Sequence, residues 1–131
     1  MNIVAVGLDA TDIPRVDQML RRFGDRFLQR VFTETEIAYC LRHRDPAPHL
    51  AARFAAKEAA MKALGTGHSQ GVLWRDIEVV RRGGPPQLRF HGTAAARLAS
   101  LGATTALLSL THAESLALAQ VLLVGEQRNH G

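Results

Sequence analysis

Residues 53–67 read RFAAKEAAMKALGTG, and the way this run folds organises the rest of the chain. At 100° per residue, Leu50, Phe54, Met61 and Leu64 fall on one side of a helix, and Glu58 lies between Phe54 and Lys62 at the edge of that stripe. The spacing predicts a helix from about His49 to Leu64, stopped by Gly65-Thr66-Gly67, whose glycines supply the backbone freedom a C-cap requires. One explanation of Glu58 is an ion pair with Lys62, four residues on, worth about 0.2–0.5 kcal/mol. Another follows from the count of bases. The 131 residues include fourteen arginines and two lysines, Lys57 and Lys62, and both lysines flank this carboxylate. Lysines beside a glycine-rich loop suit phosphate, because glycine lets backbone N–H groups approach the oxygens while ammonium groups offset their charge. Here the loop follows its helix, so it is neither a Walker loop nor a dinucleotide fingerprint.

Upstream, NIVAVGL at 2–8 is a short Val/Ile-rich run bounded by Gly7 and Asp9 and reads as a buried strand. A helix over about 12–22 is expected next, capped by Thr11 with Pro14 in its first turn, then a second over 25–31 beyond the break at Gly24. Thr33 and Glu36 have the spacing of a capping box and start a third helix that should end near residues 45–48. Downstream, the period changes to two. VLWRDIEVV at 72–80 and QLRFHG at 87–92 predict strands, a helix follows over 93–101, and TTALLSLTH and SLALAQVLLV predict a second hairpin turning at 112–114. Helices in the first half and mostly antiparallel strands in the second make an α+β pattern in a single domain, 1–131, with 125–131 as a loose tail.

Composition narrows the chemistry. Hydrophobic residues are 47% and aromatics 5%, so the core must be built from Ala, Leu and Val. Sixteen Lys and Arg against twelve Asp and Glu give a net charge of +4, which favours an anionic partner. Cys40 is alone, which rules out an internal disulfide and a cysteine metal cage and agrees with a reducing compartment. The N-terminus has neither a basic leader region nor the length of a membrane span, so a cytoplasmic protein with no membrane contact is expected. Asp9, at the end of the first strand, either supports the following helix or joins Glu58. Two carboxylates brought together repel unless a cation or a proton lies between them, and magnesium, which takes one or two carboxylates with waters and substrate phosphate, would resolve that conflict. His112, at a strand end, is either a turn histidine or an anion contact. The remaining histidines show no zinc spacing, and no nucleophile elbow supports a hydrolase triad around Ser109 and Ser115.

Taken in order, VGLDATDIPRV, RFAAKEAAMKALGTG, WRDIEVVRRGGPPQL and SLTHAES resemble the holo-acyl-carrier-protein synthases, the small bacterial-type 4′-phosphopantetheinyl transferases. The likeness runs from residue 3 to about 124. It implies the α+β phosphopantetheinyl transferase fold, a homotrimer with sites between subunits, and transfer of the 4′-phosphopantetheine arm of coenzyme A to a serine of apo acyl carrier protein in fatty acid biosynthesis. Adenosine 3′,5′-bisphosphate is the second product. By the same resemblance Asp9 and Glu58 hold magnesium and Lys62 faces the leaving phosphate. Arg53, Lys57 and Gly65-Thr66-Gly67 contact the phosphates, His112 the adenosine 3′-phosphate, and Pro86 lies near the adenine. Glu58, directly or through a metal-bound water, is the expected acceptor of the serine proton, with Glu36 as the other candidate.

Acyl carrier proteins present acidic helices, and a helix continued through residue 26 would align Arg15, Met19, Arg22 and Arg26 as a cationic stripe with one apolar anchor. Ala10, where the family more often has a bulky aliphatic residue, and Pro14 both bear on where Arg15 points. Two other functions compete. A basic nucleic-acid-binding domain would account for the arginines, but Trp74 and Phe90 are isolated and offer no stacking pair, so no nucleic acid is expected. An acyltransferase using acetyl-coenzyme A would leave the arm on the nucleotide and would have no need of magnesium.

Overall fold

The computed structural model describes residues 1–126; the last five residues of the expected tail lie outside them. The chain orders as β1 (Asn2–Asp12), α1 (Ile13–Phe23), α2 (Asp25–Val31), α3 (Glu34–Leu41), α4 (Ala47–Leu64), β2 (Ile77–Val80), β3 (Gln87–Phe90), α5 (Gly92–Ser100), β4 (Thr105–Ala113) and β5 (Leu116–Gly125). An antiparallel sheet in the order β1-β5-β4 lies on one side of α4, and β2 and β3 form a separate two-stranded ribbon. The α+β architecture is the expected one.

Helix α4 is the centre of the molecule because it is apolar nearly all round. Ala52, Ala55, Ala56, Ala59 and Ala63, about 100–200° from Phe54, form a smooth face that lets the sheet approach closely. A Cβ at Gly7 of β1 would lie 1.8 Å from the Ala59 carbonyl oxygen, so strand and helix meet there backbone to backbone. Leu50, Met61 and Leu64 are buried as well, and the helix joins two cores, one with α1, α2 and α3 and one with the sheet, β2 and α5. Between Arg53 and Leu64 the residues that escape full burial are Phe54, Glu58 and Lys62, at i, i+4 and i+8. The apolar stripe read from the sequence was therefore one of two buried faces, and Glu58 belongs to the open seam between them.

Several boundaries differ for identifiable reasons. Strand β1 runs on to Asp12, paired with β5 along its length, so Gly7 lies inside the strand and Thr11 is not a helix cap. The strand is not buried on both faces: Ile3, Val6 and Leu8 are 64%, 53% and 60% exposed. A bulge between Ile3 and Ala5 puts these three on the face away from α4. Pro14 sits in the first turn of α1, where it costs no hydrogen bond. The capping box of Thr33 and Glu36 forms, but α3 ends at Leu41. Of the run 72–80, only Ile77–Val80 is strand; Trp74–Asp76 makes a 3₁₀ turn in which the Asp76 carboxylate accepts from the Leu73 N–H at 3.0 Å. Gly125 closes β5 opposite Asn2 and is not part of a tail. No helix among the described residues is long and apolar enough to cross a membrane.

Candidate functional site

The open seam of α4 faces a cavity of about 490 Å³ lined by Asp9, Thr11, Arg15, Met19, Phe54, Glu58 and Lys62, among others. Alternation along β1 aims Asp9 and Thr11 at α4, while helical spacing stacks Phe54, Glu58 and Lys62 beneath them. Lys62 Nζ donates to Asp9 Oδ1 at 2.9 Å and to the Leu8 carbonyl at 3.0 Å, so it crosses to the strand and leaves the expected pair with Glu58 unmade. The Thr11 hydroxyl donates to Asp9 Oδ2 at 2.9 Å and fixes the carboxylate plane. Glu58 Oε1 lies 3.3 Å from His68 Nε2, and the His68 ring is held 4.3 Å from that of Trp74.

This donor set fits magnesium. Two carboxylates on facing elements open into one cavity, and among the described residues no three His, Cys, Asp or Glu side chains group as a closed cage. Magnesium prefers such a set, one or two carboxylates with room for waters and substrate phosphate.

Three of the expected phosphate contacts are corrected. Lys57 is fully buried: its Nζ lies 2.7 Å from Glu36 Oε1 and donates to the carbonyls of Trp74 and Ile77. Burial holds its pKa below the ordinary lysine value, opposed by the charge of Glu36. Glu36 is equally buried and also accepts from the backbone N–H groups of Val79 and Thr33, both at 2.9 Å, so it is a structural partner and not a proton acceptor for substrate. Gly65 and Thr66 use their N–H groups on the carbonyls of Met61 and Lys62 to close α4, and Thr66 is itself buried. Gly65 is left-handed at φ 75° and serves to end the helix.

The other candidates lie elsewhere. Arg53 is 5% exposed on the opposite flank of α4, its guanidinium 4.1 Å from the centre of the Tyr39 ring. His112 projects from β4 at the far edge of the sheet, in register with Ala117, and Pro86 ends the loop before β3. None of the three lines the cavity around Asp9 and Glu58. The arginine stripe is also rearranged. Gly24 ends α1, so Arg15 and Met19 reach the cavity, whereas Arg26 enters an adjoining trough with Met19, Phe23, Arg30 and Phe54, and Arg22 lies against Phe23. Thr11, His68 and Arg30 were missed. Only Arg30 carried a sequence signal, as part of the Arg-rich run.

Residues 5–121 match the 4′-phosphopantetheinyl transferase superfamily. A holo-acyl-carrier-protein synthase of Koribacter versatilis is 50% identical over 122 residues, 92% of this chain and 98% of that protein. Among solved structures, the holo-acyl-carrier-protein synthase of Neisseria meningitidis superposes with a TM-score of 0.83 at 32% identity, covering 94% of this chain and 99% of the other. The Bacillus anthracis synthase, solved in complex with coenzyme A (3′,5′-ADP), gives a TM-score of 0.78 at 33% identity over 95% and 98% of the two chains.

Proposed function

Because this chain belongs to the 4′-phosphopantetheinyl transferase superfamily, we infer that the cavity between β1 and α4 is the seat of phosphopantetheine transfer. The protein moves the 4′-phosphopantetheine group of coenzyme A to a serine of apo acyl carrier protein, leaving adenosine 3′,5′-bisphosphate. The observation that carries the site is the convergence of Asp9, Glu58 and Lys62, from two elements far apart in sequence, on one cavity. A nucleic-acid-binding role has no support from these relatives.

Phosphoryl transfer to a hydroxyl needs charge compensation, in-line placement and an acceptor for the proton. Lys62 is half-exposed and close to the cavity floor, so its ammonium can leave Asp9 for the diphosphate oxygens. Asp9 and Glu58 would hold magnesium, which when bound offsets the charge of the same diphosphate. Glu58 is the acceptor for the serine proton, its carboxylate oriented by His68. Arg15, Met19, Arg22, Arg26 and Arg30 form the cationic surface beside the cavity to which an acidic carrier helix docks.

The site extends beyond one chain. Arg53 and His112 lie across α4 from Glu58, and the outer sheet face exposes Ile3, Val6, Leu8, Leu107 and Leu118. A homotrimer that covers this face and brings Arg53 and His112 of one subunit to the cavity of the next accounts for both. The reaction is tested by weighing apo acyl carrier protein after incubation with coenzyme A, magnesium and this protein. A gain of one phosphopantetheine is expected; an unchanged mass overturns the reading. Asp9→Asn and Glu58→Gln should each lower turnover by at least about 100-fold, with unaltered circular dichroism, by loss of charge placed for the transition state. Near-normal turnover in either removes that residue from the site.

A further inference from the structure

The two carboxylates of the cavity are not equally available to a cation. The Asp9 side chain is 14% exposed and is fixed twice: β1 pairs with β5 at this point, Asp9 opposite Ala119, and the Thr11 hydroxyl donates to Oδ2 at 2.9 Å. Its other oxygen, Oδ1, carries the ammonium of Lys62 at 2.9 Å. Glu58 differs. Among the described residues it has no Lys or Arg within ion-pair distance, and its basic partner is the imidazole of His68. Arg15 lines the same cavity and, among the described residues, pairs with neither acid.

A divalent cation and the Lys62 ammonium therefore compete for one carboxylate oxygen. Magnesium needs direct contact with that oxygen, and an ammonium bonded to the same atom repels it at short range. One of the two must yield, and the fold decides which. Asp9 cannot retreat without undoing its strand pairing, whereas Lys62 is 54% exposed, sits in the last turn of α4 and ends a flexible four-carbon stem. Its second contact, the Leu8 carbonyl at 3.0 Å, is a neutral acceptor. A diphosphate entering the cavity is a better partner for the ammonium, because the hydrogen bonds are then charge-assisted at several oxygens. The event that draws Lys62 away thus clears Oδ1 for the metal.

We propose that Lys62 is the exchangeable counter-ion of Asp9, so that the divalent cation and the diphosphate bind as a coupled pair and Lys62 carries the coupling. The inference rests on the proposed reaction, whose donor brings the diphosphate, and adds an order to it. With the ammonium in place, Asp9 and Glu58 are a poor cation site; they become a good one as the nucleotide arrives. Such coupling is reciprocal, so the cation strengthens coenzyme A binding by the factor by which coenzyme A strengthens cation binding, typically about 5–150-fold. A preformed metal centre would behave otherwise. Its affinity for the cation would not depend on where Lys62 sits, and removing Lys62 would act like removing any other positive charge near the cavity.

Manganese(II) titration followed by electron paramagnetic resonance, without nucleotide, tests the exchange in the absence of turnover. Lys62→Met should bind manganese about tenfold more tightly than the unaltered protein, a factor within the usual range of coupling, whereas Lys62→Arg, which keeps a cation on Asp9, should not. Arg15→Met is the control for charge alone. It removes one positive charge from the same cavity without touching Asp9, and should change the affinity by no more than about twofold, because a charge out of contact is screened by salt. A measurement that needs no variant compares manganese binding to the unaltered protein with and without coenzyme A, less the manganese that coenzyme A binds by itself; a gain of about tenfold is expected. Equal affinity in that comparison, no gain in a folded Lys62→Met, or the same gain in Arg15→Met overturns the proposal and leaves the transferase reading intact. Failure of coenzyme A to bind, with magnesium or without it, overturns the transferase reading and this one together.

Discussion

Two lysines five residues apart on one helix have opposite duties, and their surroundings decide which is which. Lys57 is sealed against Glu36, and removing one member of a buried pair leaves the other charge uncompensated, at a cost of about 3–5 kcal/mol. Lys57→Met should therefore lower the urea midpoint sharply, whereas Lys62→Met should leave the midpoint near its original value and reduce turnover. Equal loss of stability in the two variants would contradict this division. Cys40 offers an independent probe of the same interior. Burial raises its pKa to about 11, against the nearby charge of Arg53, so at neutral pH it stays a protonated thiol. Iodoacetamide should leave the native protein unmodified at pH 7.5 and alkylate it once urea has unfolded it; rapid native labelling would place Cys40 outside the core.

At the scale of elements, the contact of β1 with α4 sets the site. Gly7 permits that contact, and two residues later the same strand delivers Asp9 to the cavity. Gly7→Ala would put a methyl group into the Ala59 carbonyl, and since neither neighbour is a flexible side chain the strand must lift. Overpacking of this kind costs about 1–3 kcal/mol or more. The expected result is a lower melting temperature together with lost activity, because Asp9 moves with the strand; a fully active and stable variant would show that the approach is not needed. Much of this element was legible beforehand. The helix, its glycine stop and the capping box of Thr33 and Glu36 follow from local rules that the sequence carries in full. The length of β1 was not legible, because its second half is held by pairing with β5, more than a hundred residues away in the chain. The 3₁₀ turn at Trp74–Asp76 was hidden by alternation that also suits a strand.

For the whole molecule, the outer sheet face is an apolar surface left open within one chain. Bulge and register together line up Ile3, Val6, Leu8, Leu107 and Leu118 on it. Val6→Asp with Leu8→Asp should dissociate the proposed trimer to monomers in sedimentation analysis and abolish activity, although neither residue lines the cavity. Mixing Glu58→Gln with His112→Ala, each inactive alone, should restore part of the activity, since some interfaces then pair an intact Glu58 with an intact His112. No recovery after subunit exchange would assign each site to a single chain.

The sequence by itself determined the α+β order, the central helix with its C-terminal stop, and the carboxylates and lysine of the cavity, because periodicity, capping and a family-like run of residues are local properties. Tertiary structure alone decided that Lys57 belongs to Glu36 and Lys62 to Asp9, that Gly65 and Thr66 close a helix, and that Arg53 and His112 lie across α4 from Glu58. The reason is physical: a side chain's charge is written in its identity, but its partner and its desolvation depend on which distant strand packs against it.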